Sequence, residues 1–101
     1  MVRILRKPLA KADLRGIFRF IAKDSPHAAR TYLRDLDETI RRVAVLPFIG
    51  SARLPNYPDM RVFPCRNHLL IYRALPEGDG IELIRVFHGA QDWQAVFTDT
   101  P

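Results

Sequence analysis

Apolar positions recur along this chain with two different periods, and the change of period divides it. Between residues 9 and 23, Ala10, Leu14, Ile17, Phe18 and Ile21 fall on one face of a helix. Between residues 26 and 46, Ala29, Tyr32, Leu33, Leu36, Ile40 and Val43 form a second helical stripe. Ser25 before Pro26 predicts an N-cap followed by proline at the first helical position, where a missing N–H costs nothing. Pro47 ends the second helix. So short a link between the helices predicts an antiparallel hairpin. Ahead of it, Val2 and Ile4 set against Arg3 and Arg6 predict a short strand over residues 2–6, closed by Pro8.

Beyond Pro47 the period changes. Residues 47–59 carry Pro47, Gly50, Pro55, Asn56, Pro58 and Asp59, the composition of an ordered loop. Three strands are expected next, over residues 60–65, 68–74 and 81–88. Arg66 and Asn67 form the first turn, with Asn67 expected at positive φ, and residues 76–80 form the second. The nearly continuous apolar runs 69–72 and 83–87 mark central, covered strands. Residues 92–97 suit a short terminal helical turn. The order β-α-α-β-β-β packs as two layers, an α+β domain over residues 1–101 with the helical hairpin on one face of a mainly antiparallel sheet. Leu14, Ile17, Phe18, Ile21, Leu36, Ile40, Val43, Leu69, Ile71, Leu83 and Val86 are its expected core.

Three segments carry the candidate chemistry. They are the loop Leu46-Pro47-Phe48-Ile49-Gly50-Ser51-Ala52-Arg53-Leu54, the strand pair from Met60-Arg61-Val62-Phe63 to His68-Leu69-Leu70-Ile71-Tyr72-Arg73, and Ile84-Arg85-Val86-Phe87-His88-Gly89-Ala90-Gln91-Asp92-Trp93. Their order and spacing, together with the helical hairpin ahead of them, resemble the ParE branch of the RelE/ParE toxins over nearly the whole chain. That resemblance implies the same two-layer fold and a toxin of a bacterial toxin–antitoxin pair. It also implies an acidic ParD-like antitoxin whose C-terminal region wraps over the toxin, with operator DNA met only through that antitoxin. ParE-branch toxins act by binding DNA gyrase. RelE-branch toxins cleave mRNA on the ribosome, which gives the alternative.

Charge bears on the choice of partner. The net charge is +5, but residues 1–46 hold eleven Lys and Arg against five Asp and Glu, while residues 47–101 hold five against six. A basic first half suits an acidic partner. Lys7, Lys11, Arg15, Arg19 and Lys23 stand four apart, and from Lys11 on they make a cationic ridge on the first helix. The second helix instead alternates its signs four apart in Arg34–Glu38, Asp37–Arg41 and Glu38–Arg42. Lys11, Arg15, Arg19, Phe20 and Lys23 are therefore the candidate antitoxin contacts. Phe20, with Leu9, Ala12 and Gly16, either packs on the second helix or lines a groove for a partner.

Arg61 and Arg85, in strands expected to be interior, each need a carboxylate or several carbonyls. Asp59 and Asp92 are the nearby candidates. The other reading makes both arginines a cationic patch on an open sheet face, which with Asp92, Trp93 and Phe97 would meet the target; Trp93 and Phe97 could instead simply cap the sheet. A nuclease would draw on Arg61, Arg85 and His88, with Asp92 orienting the imidazole. Yet no lysine follows Lys23, the last tyrosine is Tyr72, and no positive residue follows His88. That favours action by binding, with no covalent chemistry and no cofactor.

His88 is expected to serve loop backbone groups, His68 to be exposed, and Cys65 to be a small core residue. Three histidines and one cysteine show no metal-ligand spacing, so no metal is expected. One cysteine excludes an internal disulfide and fits a reducing cytoplasm. The cationic stretch after Met1 is unlike a secretory leader, and no apolar run approaches the roughly 20 residues of a membrane span.

Overall fold

The computed structural model describes residues 1–97, so the last positions of the expected domain, 98–101, lie outside the described residues. Strand β1 (Arg3–Arg6) leads into helices α1 (Pro8–Ala22) and α2 (Pro26–Val45). Strands β2 (Met60–Cys65), β3 (His68–Ala74) and β4 (Gly80–His88) follow, and a 3-10 turn covers Trp93–Phe97. The element order is the expected one. Ser25 caps α2, its Oγ accepting the Ala28 N–H at 3.1 Å, with Pro26 at the first helical position.

The sheet runs β1-β4-β3-β2. β2, β3 and β4 form an antiparallel meander, and β1 adds to β4 in parallel. Gly80 makes that addition possible: its φ is +148°, and a Cβ there would lie 1.8 Å from the Arg3 carbonyl oxygen. Because β1 takes the free side of β4, β2 is left on an edge and not inside the sheet as expected. Ser51 meets part of that edge, exchanging two backbone hydrogen bonds of 2.9 Å with Val62. In the turn between β2 and β3 the positive φ, 57°, falls on Arg66 and not on Asn67. Arg66 is held there by an ion pair to Asp35 and by stacking 4.6 Å over the Tyr32 ring.

On the helix side of the sheet, Ala10, Ile40, Val43 and Ala44 close over Leu70, Tyr72, Ile81, Leu83 and Val86. Of the expected core, Leu36, Ile40, Val43, Ile71, Leu83 and Val86 are buried. Leu14, Ile17, Phe18, Ile21 and Leu69 are only half-buried. α1 lies at the border of the helical layer, and Ala10 is its one fully buried residue. The opposite sheet face is not open. Leu54 from the loop and Trp93 from the 3-10 turn pack there on Val62, Ile71 and Phe87. The loop therefore supplies a partial third layer, which a helix-and-strand reading did not contain.

The Asp13 carboxylate joins α1 to the sheet. β1 pairs with β4 only from Gly80 to Leu83, and the Lys7 N–H adds a bond of 2.9 Å to the Leu83 carbonyl before Pro8 starts α1. The register of β3 on β4 then slips, Ile71 facing Arg85 and Tyr72 facing Leu83, which leaves Ile84 as a bulge. Past the bulge, Asp13 of α1 takes the place a longer β1 would have filled. Its carboxylate accepts the Val86 N–H at 2.9 Å and two guanidinium N–H groups of Arg85 at 2.8 and 3.1 Å. Asp92, the expected partner of Arg85, is exposed and makes no such pair; the bulge aims Arg85 at α1 instead.

The Asp13 and Arg85 side chains are 17% and 21% exposed, so the pair is largely desolvated. Asp13→Ala leaves both a guanidinium and a backbone N–H without an acceptor. It should cost about 3 kcal/mol in urea unfolding, and Asp13→Asn roughly half of that. A loss below about 1 kcal/mol for the alanine variant, at unchanged m-value, would show that the carboxylate does not hold this seam.

Candidate functional site

α1 turns its polar side outward. Lys11, Arg15, Arg19 and Lys23 are all exposed, and among the described residues none of them has a carboxylate within ion-pairing distance. On α2, Asp37 does pair with Arg41 at 2.6 Å and also takes Arg6 at 3.2 Å. The other two pairs expected on α2, both through Glu38, do not form. The ridge on α1 thus keeps its charge uncompensated. Like charges one turn apart repel by about 0.2–0.5 kcal/mol per pair, so the helix is slightly destabilised by what it presents.

Beside the ridge lies a groove of about 470 Å³. Ala12, Gly16 and Phe20 of α1 form one wall, Tyr32 and His68 the floor, and His88 and Gln91 the other wall. Phe20 is 74% exposed and Leu9 59%, so neither is packed away in the hairpin, and Phe20 lines the groove wall. A phenylalanine ring left in water beside a concavity and a row of cations can grip an amphipathic acidic segment.

The floor holds a polar pair that spacing did not reveal. Tyr32 Oη lies 2.6 Å from His68 Nδ1 and accepts the Asn67 N–H at 3.2 Å. Burial pushes the Tyr32 phenol above its ordinary value, partly offset by the Asn67 hydrogen bond and by Arg66, so it stays protonated and can donate to His68 in the tautomer whose Nδ1 carries no proton. Burial, and then the nearby His88, holds His68 below its ordinary value. His68 is therefore half-buried and neutral, not exposed as expected. The two imidazoles meet edge to face at 5.3 Å. His88 has the loop role expected of it: its Nδ1 accepts the Ala90 N–H at 3.0 Å.

The remaining candidates are dispersed. Arg61 donates from one Nη1 to the carbonyls of Phe48 at 3.2 Å and Gly50 at 2.6 Å. Its expected partner, Asp59, pairs with Arg73 at 3.5 Å. The carbonyls win because Arg61 stands where the loop folds back on the β2 edge. Arg61, Arg85 and His88 are thus held by three different parts of the fold and are not drawn together. Trp93 is 5% exposed and belongs to the second core. Phe97 is half-buried against Tyr57 and Phe87, and Asp92 is exposed. Cys65 is buried, its Sγ 3.1 Å from Thr39 Oγ1. Among the described residues no group of His, Cys, Asp and Glu is placed to hold a metal, and no helix is long and apolar enough to cross a membrane.

A chain of a ParDE system and a RelE toxin, both of solved structure, share this fold. The structure is similar to a chain of the chromosomal ParDE system from P. aeruginosa, with a TM-score of 0.69 at 20% identity over 87% of this chain and 96% of that one. It is also similar to the isolated E. coli RelE toxin, with a TM-score of 0.64 at 19% identity over 95% and 96%. Sequence separates the branches. Residues 4–93 match the model of the ParE toxin of the type II toxin–antitoxin system parDE. Toxin ParE1 of Mycobacterium tuberculosis is 35% identical over 91 residues, 89% of this chain and 92% of that protein. The chain belongs to the ParE toxin family.

The burial of His68 beside His88 should make stability depend on pH. A histidine whose folded value is depressed stabilises fully above its unfolded value of 6.5, and that contribution is lost as pH falls below 6.5 towards the folded value. Unfolding free energy should therefore drop as pH falls through 6.5. His68→Gln, which still accepts from Tyr32, should flatten that part of the curve. An unchanged slope in the variant would assign the loss to other groups.

Proposed function

We propose that this chain acts in the cytoplasm as a single-domain toxin that inhibits DNA gyrase by direct binding, and that a small acidic ParD-like antitoxin neutralises it. What carries the antitoxin reading is the uncompensated ridge of Lys11, Arg15, Arg19 and Lys23 running beside the groove that Phe20 lines. An acidic, apolar segment laid along α1 would relieve the repulsion and cover the exposed ring. Operator DNA would be met only through the antitoxin.

Binding, not strand cleavage, is supported by how the arginines are used. Arg85 is committed to Asp13, and Arg61 to loop carbonyls on the far side of β3. A phosphoryl-transfer centre needs cations converging where charge develops. The net acidic balance after residue 46 also disfavours gripping an RNA backbone. The RelE-type alternative keeps one observation in its favour: His68 and His88 lie 5.3 Å apart at the groove.

Arg15→Glu combined with Arg19→Glu should leave folding unchanged, slow antitoxin association about tenfold and flatten its salt dependence. Unaltered association kinetics would reduce the ridge to a solvated face. Purified toxin should block supercoiling or stabilise gyrase-dependent DNA breaks while ribosome-bound mRNA stays intact. Cleavage of mRNA in the ribosomal A site, lost in a folded His88→Ala variant, would establish the nuclease instead.

A further inference from the structure

At the far end of α2 from the groove, the chain holds a second apolar surface in water. Val45, Leu46, Phe48 and Ile49 are 61%, 55%, 66% and 49% exposed, and they are nearly consecutive. Such a cluster forfeits burial that a soluble domain normally takes, so its presentation needs a reason.

The backbone beneath these side chains is fixed at many points. Buried Tyr72 donates its hydroxyl to the Pro47 carbonyl at 2.8 Å and accepts the Gly50 N–H at 2.9 Å. Arg61 binds the carbonyls of Phe48 and Gly50, and the Ile49 N–H returns to the Leu46 carbonyl at 3.0 Å. A Cβ on Gly50 would sit 2.6 Å from Tyr72 Oη, so only glycine allows the phenol so close. Pro47 and Gly50 point inward and are buried, while the residues around them point out. The result is a rigid knob, pre-organised and therefore losing little entropy when it is covered.

The rim of the knob is basic. Arg61 stacks 5.2 Å from the Phe48 ring centroid, and Arg42, one turn before Val45, reaches only Thr39 Oγ1 at 3.3 Å. Among the described residues neither guanidinium has a carboxylate partner. A two-fold pairing of copies would set these cations against their own equivalents, on a chain of net charge +5. Complementarity calls instead for an apolar pocket edged by carboxylates on a different protein. The groove at Tyr32 lies about 20 Å away along α2, too far for one anchor side chain to serve both.

We propose that the knob of Val45, Leu46, Phe48 and Ile49, rimmed by Arg42 and Arg61, is the surface that docks into an acid-edged apolar pocket of the toxin's cellular target. This deepens the reading of the chain as a toxin that works by binding, and rests on it.

The experiment compares wild type with Phe48→Ser/Ile49→Ser and with Arg42→Glu. Thermal unfolding, oligomeric state, affinity for a ParD-like antitoxin, growth arrest on induced expression and inhibition of gyrase supercoiling are measured for each. Both variants should fold, stay monomeric and bind antitoxin within about twofold of wild type, while growth arrest demands about tenfold more protein or more. Undiminished growth arrest overturns the proposal. So does a parallel fall in antitoxin affinity, which would give the knob to the antitoxin, or a wild-type dimer dissolved by the serine substitutions, which would give it to a second copy. Wild type that arrests growth but leaves gyrase active removes gyrase as the target, and the growth assay alone then decides on the knob. Wild type that does not arrest growth removes both.

Discussion

The Asp13 carboxylate is the joint on which the arrangement of helices and sheet depends. A four-residue β1 covers only the first part of the β4 edge, and the chain must leave that edge at Pro8 to begin α1. The N–H of Val86 would otherwise remain unpaired at the border of the core, a cost of about 1–3 kcal/mol. Asp13 supplies the acceptor, and Arg85 neutralises Asp13. With Asp13 fixed, the rotation of α1 about its own axis is fixed as well. Gly16 and Phe20, three and seven residues further on, must then share its side and form the groove wall. The cationic ridge is left facing solvent. One polar contact thus decides both what the helix buries and what it offers.

Local pattern made most of this fold legible. The two apolar stripes, the Ser25-Pro26 start and the alternating strands each state their structure within a few residues, so the element order followed. Pairing between distant segments was not legible in the same way. Arg85 had Asp92 close by in sequence, yet its partner is Asp13, 72 positions away. Arg61 had Asp59, yet took main-chain carbonyls instead. Proximity along the chain is a poor guide in a strand, where a bulge such as that at Ile84 redirects a side chain. Strand order was hidden for a related reason: whether β1 adds beside β4 or beside β2 turns on a glycine at residue 80 meeting the backbone of Arg3.

The candidate sites divide along the same line. The ridge was visible because identical charges at helical spacing are a local signal. The floor of the groove was not, since Tyr32 reads as one more apolar position of α2 and His68 as the opening residue of a strand. Their 2.6 Å contact exists only because the Arg66 turn folds the start of β3 against α2. Trp93 shows the opposite case. Aromatic residues near a terminus look like anchors for a partner, but here the second sheet face needed covering, and Trp93 covers it.

If the groove takes the antitoxin and the knob takes the target, as proposed, the distance between them constrains how neutralisation works. They sit near opposite ends of α2, about 20 Å apart, and sites so far apart with no shared residues contribute nearly independently to binding. Occupation of the groove alone would then leave the affinity of the knob for its pocket almost unchanged. The hydrogen bonds of Tyr72 to Pro47 and Gly50 also argue against a conformational route, because they hold the knob in shape. What remains is exclusion. A partner bound along the ridge must carry enough bulk or length to stop a large target from approaching the far end of α2. The antitoxin's size and reach, more than the chemistry of its contacts in the groove, would then set how completely the toxin is silenced.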